Sequence, residues 1–212
     1  MNGSVRSYTD DSEKIQKTKI GIITGAGSLE LLEIVKERMK REPVTHTNQI
    51  IDMIKEARTD YRRRFWLTAA RDIEMTGWIF TYTTLVENEP KLRVGIVHPS
   101  IGDVLGLYEI NHPALICPVE ATRGEANAIS DFLLKAIKPS KEFATSSESI
   151  QYHWSIIATL IRKIQPTHPS MSPYSQIGIH TLDGQTGISP IVKDDESNIT
   201  IELEASNSLD EH

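Results

Sequence analysis

The chain has 212 residues, of which 39% are hydrophobic and 25% charged, a balance typical of an ordinary globular protein. Disorder throughout the chain, collagen-like repeats and low-complexity sequence are therefore excluded. The formal net charge of −6 argues against a general nucleic-acid binder, and the single cysteine excludes both an intramolecular disulfide framework and a cysteine zinc site. Because no apolar run approaches the roughly 20 residues that cross a bilayer, we expect a soluble, cytoplasmic protein with no membrane partner.

The first predicted elements are a short buried strand and two amphipathic helices. Residues 20–24 form a β-branched run that stops at the glycines of residues 25–27, a pattern typical of a strand that ends in a tight turn. Apolar positions then recur at helical spacing and predict helices over residues 28–42 and 46–72. Ser28 is the expected N-cap of the first of them.

The middle and the end of the chain alternate between strands and helices. Short connections between apolar runs favour antiparallel hairpins, with a turn at residues 87–90. The strands are expected at residues 77–86, 92–98, 104–108, 112–117, 176–182, 188–192 and 199–203. Capping signatures that begin at Thr122 and Thr145 predict helices over residues 122–137 and 146–165, and the polar residues 205–212 predict a frayed tail.

The order of these elements predicts the fold class. Helices that arrive in pairs between blocks of strands must bury their apolar faces on the sheets that those strands form. We therefore predict an α+β fold in the form of a four-layer αββα sandwich, with two antiparallel sheets stacked and one helix pair outside each. Residues 1–204 would form this single domain.

Few residues carry recognisable chemistry. The Gly25-Ala26-Gly27 turn has a glutamate, Glu30, where a dinucleotide-binding turn needs its third glycine, so we interpret it as a packing turn. A small-molecule or nucleotide-binding α/β domain that uses this turn stays an alternative. Cys117 lies in an apolar run that favours a buried, inert thiol. His98, His112, His168 and His180 are interpreted as turn and surface residues. We assign no catalytic residue, no metal and no cofactor.

Residues 62–67 stand out at the end of the second predicted helix. Arg62, Arg63 and Arg64 indicate a solvated face or a subunit contact, with nucleic-acid binding as the alternative. The next three residues, Phe65, Trp66 and Leu67, cannot all face one sheet if the helix continues. We therefore predict a homo-oligomer in which Phe65 or Trp66 is covered by a neighbour. The alternative is that Trp66 packs under the loop near Gly77.

The predicted partner of the arginines is acidic. Glu33 and Glu37 on the outer face of the first helix are the residues that we expect them to meet on a second subunit.

Several motifs resemble those of proteasome subunits, members of the N-terminal-nucleophile hydrolase family. Residues 12–15 (SEKI) and 19–27 (KIGIITGAG) are similar to the family's Lys-Ile element and the glycine-ended strand after it. Residues 176–184 (QIGIHTLDG) and 93–97 (RVGIV) resemble its late strand and one of its hairpins. With the order of elements, the resemblance covers residues 12–203. It implies an αββα fold whose helices mediate contacts within and between rings.

The family's catalytic groups do not map onto this sequence. Active members use an N-terminal threonine as nucleophile and a lysine shortly before the Lys-Ile element, where this sequence offers Thr9, Asp10 and Asp11. A shifted alignment would give the lysine's role to Lys14 or Lys17. The resemblance therefore implies a non-catalytic subunit that assembles with itself or with a catalytic partner subunit. The alternative is a threonine endopeptidase whose N-terminal catalytic segment is missing from this sequence.

Overall fold

The computed structural model describes residues 13–99, 101, 108–110, 122–168, 174–193 and 199–205. The expected strand at residues 112–117, the thiol of Cys117, His112, most of residues 104–108 and most of the expected tail lie outside these ranges. The chain divides into two compact units, each of which is described by itself. The first contains residues 1–13, 113–176 and 189–201, and the second contains residues 14–112, 177–188 and 202–212.

The described residues form the following helices and strands. The helices are α1 (Leu29–Arg41), α2 (Thr47–Arg64), α3 (Ala69–Glu74), α4 (Arg123–Ala136) and α5 (Ser146–Ile164). The strands are β1 (Ile15–Lys17), β2 (Ile22–Ala26), β3 (Gly77–Val86), β4 (Glu89–Val97), β5 (Tyr108–Ile110), β6 (Tyr174–Ser175), β7 (Gly178–His180), β8 (Gln185–Ile188), β9 (Val192–Lys193) and β10 (Glu204–Ala205).

Every strand pair in the described part of the chain is antiparallel. The second unit holds a five-stranded sheet in the order β1-β2-β3-β4-β5 and a three-stranded sheet in the order β10-β8-β7, while β6 and β9 pair in the first unit. The mixed helix content and the antiparallel sheets confirm the predicted α+β class.

One face of the five-stranded sheet packs against α1 and α2. Ile23, Trp78 and Phe80 alternate with residues of the other face and join a buried cluster with the apolar stripes of both helices. The helix positions in this cluster are Leu31, Leu32, Val35, Met39, Ile50, Ile51, Met53, Ile54, Ala57 and Tyr61. Gly25 is needed here because a Cβ atom at this position would collide with the side chain of Leu32.

The opposite face of that sheet carries the three-stranded sheet. A Cβ atom at Gly178 in β7 would lie 2.5 Å from Cδ1 of Ile22, so the two sheets approach closely at this point. Two residues along β7, Nδ1 of His180 lies 2.8 Å from Oγ1 of Thr81 and its Nε2 lies 3.4 Å from Oγ1 of Thr83. Within the second unit, helices and a second sheet thus cover opposite faces of the five-stranded sheet.

In the first unit, α4 and α5 pack against each other. Ile129, Leu133, Trp154 and Ala158 are buried, and the Tyr152 hydroxyl donates a 2.8 Å hydrogen bond to the Ala136 carbonyl. The predicted capping box of α4 is confirmed, since Thr122 and Glu125 exchange hydrogen bonds.

None of the described helices combines the length and apolar character that crossing a bilayer requires.

The prediction of one helix over residues 46–72 is wrong. Helix α2 ends at Arg64, four residues do not continue it, and α3 begins at Ala69. A continuous helix would have carried three successive bulky residues around its circumference. The interruption instead lets Ala69 and Ile73 return to the buried side while residues 65–67 stay outside.

Several boundaries also differ from the prediction. Strand β4 begins at Glu89, so the turn of its hairpin is shorter than residues 87–90, and residues 199–203 are not a strand although β10 follows them directly. Ser28 holds the N-cap position of α1, but its side chain makes no cap hydrogen bond. Its hydroxyl lies instead 3.2 Å from the Tyr61 hydroxyl and 3.3 Å from a Glu30 carboxylate oxygen.

Candidate interaction surface

The end of α2 is fixed by hydrogen bonds that turn the chain away from the helix axis. Phe65 is the C-cap, and its backbone N–H still donates to the Tyr61 carbonyl at 2.9 Å. Its own carbonyl then accepts from the backbone N–H groups of Thr68 and Ala69, at 3.0 and 2.8 Å. These bonds close a tight turn over residues 65–68, after which α3 begins.

A side-chain network anchors the same turn to the core. The Tyr61 hydroxyl donates a 2.7 Å hydrogen bond to the Asp72 carboxylate on α3. The Tyr61 ring stacks at a tilt on Phe65, with 4.6 Å between ring centroids. Burial raises the pKa of the Tyr61 phenol, and the bond to Asp72 raises it further, so the hydroxyl stays protonated. Helices α2 and α3 are thus held together on the inner side of the turn.

The outer side of the turn presents the apolar residues to solvent. Phe65 is 40% exposed, Trp66 76% and Leu67 77%. The alternative that Trp66 packs under the loop near Gly77 is therefore wrong. We call residues 62–67, the three arginines with these three apolar residues, the arginine–aromatic surface.

An open groove lies beside Trp66. It has a volume of about 520 Å³, and its apolar wall is formed by Trp66, Ala69, Ala70, Ile73 and Pro99. Arg62 and Glu74 are its charged lining residues. A side chain of moderate size with an acidic neighbour would match this combination of apolar wall and guanidinium group.

Positive charge is concentrated around the groove. Arg58, one turn before Arg62, is buried, lies 5.6 Å from the ring centroid of Trp78, and reaches the Ile73 carbonyl at 3.4 Å. Burial, together with the nearby charge of Arg62, lowers the pKa of Arg58 to about 10. Arg63 has Asp60 at 3.6 Å, whereas within the described part of the chain Arg62 and Arg64 form no ion pair. The surface therefore favours an acidic partner.

The acidic residues that the sequence suggested as that partner are already engaged on their own helix. Glu33 forms a 2.8 Å ion pair with Lys36, and Glu37 forms one of 3.2 Å with Lys40. The Glu37–Lys40 pair is exposed, and exposed pairs within a helix contribute only about 0.3–0.5 kcal/mol, so Glu37 can exchange its partner at small cost. However, the geometry of Glu33 and Glu37 does not favour them over other carboxylates as partners of the arginines.

The glycine turn before α1 is occupied by packing contacts. Gly27 has a φ of +126°, and a Cβ atom here would collide with the Thr76 side chain. The backbone N–H of Ser28 donates at 2.9 Å to the Thr76 hydroxyl, which in turn donates to the Asp72 carbonyl at 2.6 Å. These contacts favour the interpretation as a packing turn over the nucleotide alternative.

Of the four histidines that we interpret as turn and surface residues, three are described, and they are less exposed than expected. His168 is buried, with Nδ1 3.1 Å from the Ile164 carbonyl, so its interpretation as a surface residue is wrong. His98 and His180 are half-buried. Burial lowers the pKa of His180, and burial together with Arg58 lowers that of His98. No group of three or more His, Cys, Asp or Glu side chains with the geometry of a metal site occurs among the described residues.

Residues that the resemblance would link to catalysis have structural contacts or lie outside the described ranges. Lys17 forms a 2.9 Å ion pair with Glu204, and the Lys14 carbonyl accepts a hydrogen bond from the Thr24 hydroxyl at 2.9 Å. Thr9, Asp10 and Asp11 lie outside the described part of the chain.

A second exposed apolar region, which was not predicted from the sequence, lies at the tip of the β3–β4 hairpin. Leu85 is 54% exposed, and Val86 and Leu92 are each 37% exposed. The composition of residues 77–86 predicts a strand, but which of its residues stay exposed depends on the tertiary packing around it.

Comparison of the sequence with models of protein families gives no match, and comparison with curated proteins gives none either. The geometry of the arginine–aromatic surface is therefore the principal guide to function.

Proposed function

We propose that this protein is a self-assembling subunit with a proteasome-like αββα fold and no peptidase activity of its own. The observation that carries the proposal is the arginine–aromatic surface, where three large apolar side chains stand in solvent beside three arginines. Aromatic residues and arginine are the residue types enriched in protein–protein interfaces.

The local geometry supports a role in binding. Moving apolar surface from water into an interface stabilises the complex by about 25 cal/mol for every Å² buried. The hydrogen-bonded turn and the Tyr61–Asp72 bond hold these side chains on a rigid support, which lowers the entropy cost of association. Clustered exposed apolar groups of this kind mark interaction sites more often than single exposed residues do.

The fold part of the proposal is supported by the arrangement within each unit. In the second unit, helices and a second antiparallel sheet cover opposite faces of the five-stranded sheet, and the first unit contributes a second helix pair, α4 and α5. The observed order of helices α1 to α3, a hairpin block, helices α4 and α5 and late strands is close to the order that the resemblance implies. A four-layer sandwich that forms one domain over residues 1–204 is the finer proposal.

The proposed lack of peptidase activity is supported by the contact of Lys17. A lysine that activates a nucleophile needs its amino group next to that nucleophile, whereas the Lys17 ammonium is held by the Glu204 carboxylate. If the partner is a separate catalytic subunit, the proposal is that it binds the same arginine–aromatic surface.

Analytical ultracentrifugation of the full chain at micromolar concentration tests the assembly. We expect species larger than 23.8 kDa, and loss of these species in the variant Trp66→Ser/Leu67→Ser. The matched control Leu134→Ser removes an exposed leucine on α4 and should leave assembly unchanged. A wild-type chain that stays monomeric at low and moderate salt would refute the proposal.

Fluorogenic peptides and a covalent threonine-directed inhibitor test the second part. We expect neither turnover nor labelling by the purified chain. Turnover that is lost on substitution of Ser4 or Thr9 would instead support the endopeptidase alternative.

A further inference from the structure

The β3–β4 hairpin ends in a run of exposed residues. Its two strands pair from Trp78–Val97 to Val86–Glu89, and residues 85–92 next to the turn are all exposed. We call residues 85–92, its outermost part, the hairpin tip.

The hairpin tip is held in a defined conformation. Its turn has Glu87 at φ 55° and Asn88 at φ 65°, and these two positive values are those of a type I′ turn. Such a turn matches the twist of the two strands and keeps them paired to the last residue. The tip therefore presents its exposed residues in a fixed conformation, so it loses little conformational entropy when it binds.

The hairpin tip combines apolar residues with acidic ones. Leu85, Val86 and Leu92 are exposed, and Glu87 and Glu89 are exposed beside them. Glu89 contacts Lys91 at 3.0 Å, whereas Glu87 forms no ion pair with any described residue. The hairpin tip therefore resembles the arginine–aromatic surface in exposing apolar side chains. It differs in charge, since its turn carries glutamates where that surface carries arginines.

We propose that the hairpin tip of one copy docks against the arginine–aromatic surface of the next copy, with Leu85 or Val86 in the groove beside Trp66 and Glu87 at Arg62. This inference rests on the proposed self-assembly and identifies the two surfaces that form it. Both surfaces belong to the same unit of the chain, so every copy offers one of each.

The charges favour this pairing over a symmetric one. Two arginine–aromatic surfaces placed face to face would bring arginines against arginines, and two hairpin tips would bring glutamates against glutamates. Contact between the tip of one copy and the surface of the next removes both repulsions. Such a contact joins two different patches, so it is heterologous and builds a ring or an open filament instead of a closed dimer.

A charge exchange tests the proposal. The variant Arg62→Glu/Arg64→Glu makes the surface acidic, and the variant Glu87→Lys/Glu89→Lys makes the hairpin tip basic. We expect each variant alone to assemble at least about tenfold more weakly than wild type, because like charges then meet at every contact. An equimolar mixture should assemble again, because each basic group then meets an acidic one on the other variant.

Controls separate charge from folding. The variant Asp131→Lys/Glu142→Lys changes the net charge as much as Glu87→Lys/Glu89→Lys does, at exposed residues of the first unit, and should assemble like wild type. Circular dichroism and thermal melting check that every variant folds. If the lysine variant does not fold, Leu85→Thr/Val86→Thr keeps strand-forming residues, removes the apolar contact and should also abolish assembly.

The outcomes distinguish this inference from the proposed function. If Glu87→Lys/Glu89→Lys assembles like wild type while Trp66→Ser/Leu67→Ser does not, the inference is wrong and self-assembly through the arginine–aromatic surface stands. If both charge variants are monomeric and their mixture stays monomeric, the inference is also wrong. A wild-type chain that never assembles refutes the proposed function itself.

Discussion

Helix α2 and the segment directly after it use similar apolar residues in opposite ways. Ile50, Ile54 and Ala57 face the five-stranded sheet and are fully buried, whereas Trp66 and Leu67 stand almost entirely in solvent. The helical period explains the first group, since residues three and four apart share one face. No contact within the described fold covers these large apolar residues after the end of the helix, and under the proposed function a second copy covers them.

The largest expected difference is in stability. Ile54→Ala removes a fully buried side chain and leaves a cavity, so we expect the free energy of unfolding to decrease by about 2–5 kcal/mol. Trp66→Ala removes a larger side chain from solvent and should change it by less than about 0.5 kcal/mol. Urea denaturation followed by circular dichroism measures both.

For assembly we expect the reverse order of effects, with the larger effect from Trp66→Ala. Under conditions where both are folded, Ile54→Ala should form the wild-type oligomer and Trp66→Ala should not. A Trp66→Ala chain that loses several kcal/mol of stability would show that Trp66 belongs to the core, and the contrast between the two regions would then be wrong.

The buried region could be predicted from the sequence because its pattern is local. The β-branched and aromatic residues of β3 are typical of a strand, and this strand was predicted with its observed limits. The stripe of α2 repeats every three to four residues and gave the start of the helix, although the prediction continued past Arg64 to residue 72. Strand β1 was missed because it has three residues in a polar stretch and is defined by its pairing with β2. Pairing of this kind depends on tertiary structure.

The candidate site could be predicted only in part. Three successive apolar residues after three arginines indicate that some of them lie outside the core, which the exposure of residues 65–67 confirms. The interruption of the helix was not predicted, because it depends on hydrogen bonds to the Phe65 carbonyl and on the contact of Tyr61 with Asp72. The hairpin tip was missed because the exposure of its residues depends on tertiary packing, which the composition of a strand does not give.

Tyr61 lies on the boundary between the two regions and sharpens the comparison. Tyr61→Phe keeps the ring against Phe65 but removes the hydrogen bond to Asp72, so we expect the free energy of unfolding to decrease by about 1 kcal/mol. Assembly should weaken slightly, because α3 lines the groove. Trp66→Phe is the matched control, and it should leave stability unchanged.

The stability of the fold and the assembly through the arginine–aromatic surface should also respond differently to pH. Because burial lowers the pKa of His180, the unfolded chain binds a proton there more readily than the folded chain. Stability from this residue is therefore complete above about pH 6.5, the ordinary histidine value, and decreases as the pH falls below it. His180→Asn should reduce the slope of melting temperature against pH.

The arginine–aromatic surface contains no histidine, so its assembly should stay constant over the pH range in which His180 titrates. Sedimentation at pH 5.5 to 7.5, at temperatures where the chain is folded, measures this directly. Assembly that follows the melting temperature through this range would mean that the contact depends on the core and not on the surface alone.

The smallest expected effect concerns the turn of the hairpin tip. Glycine is preferred over asparagine at the second central position of a type I′ turn, so Asn88→Gly should increase the free energy of unfolding by about 0.5 kcal/mol. The substitution leaves Leu85, Val86 and Glu87 in place and holds the turn more firmly, so assembly should be unchanged or tighter. Asn88→Ala is the opposite control, because alanine disfavours a positive φ, and it should loosen the turn and weaken assembly. If both variants lower stability equally while assembly stays constant, the rigidity of the turn makes no contribution to the contact, and the hairpin tip would have to bind through its strands instead.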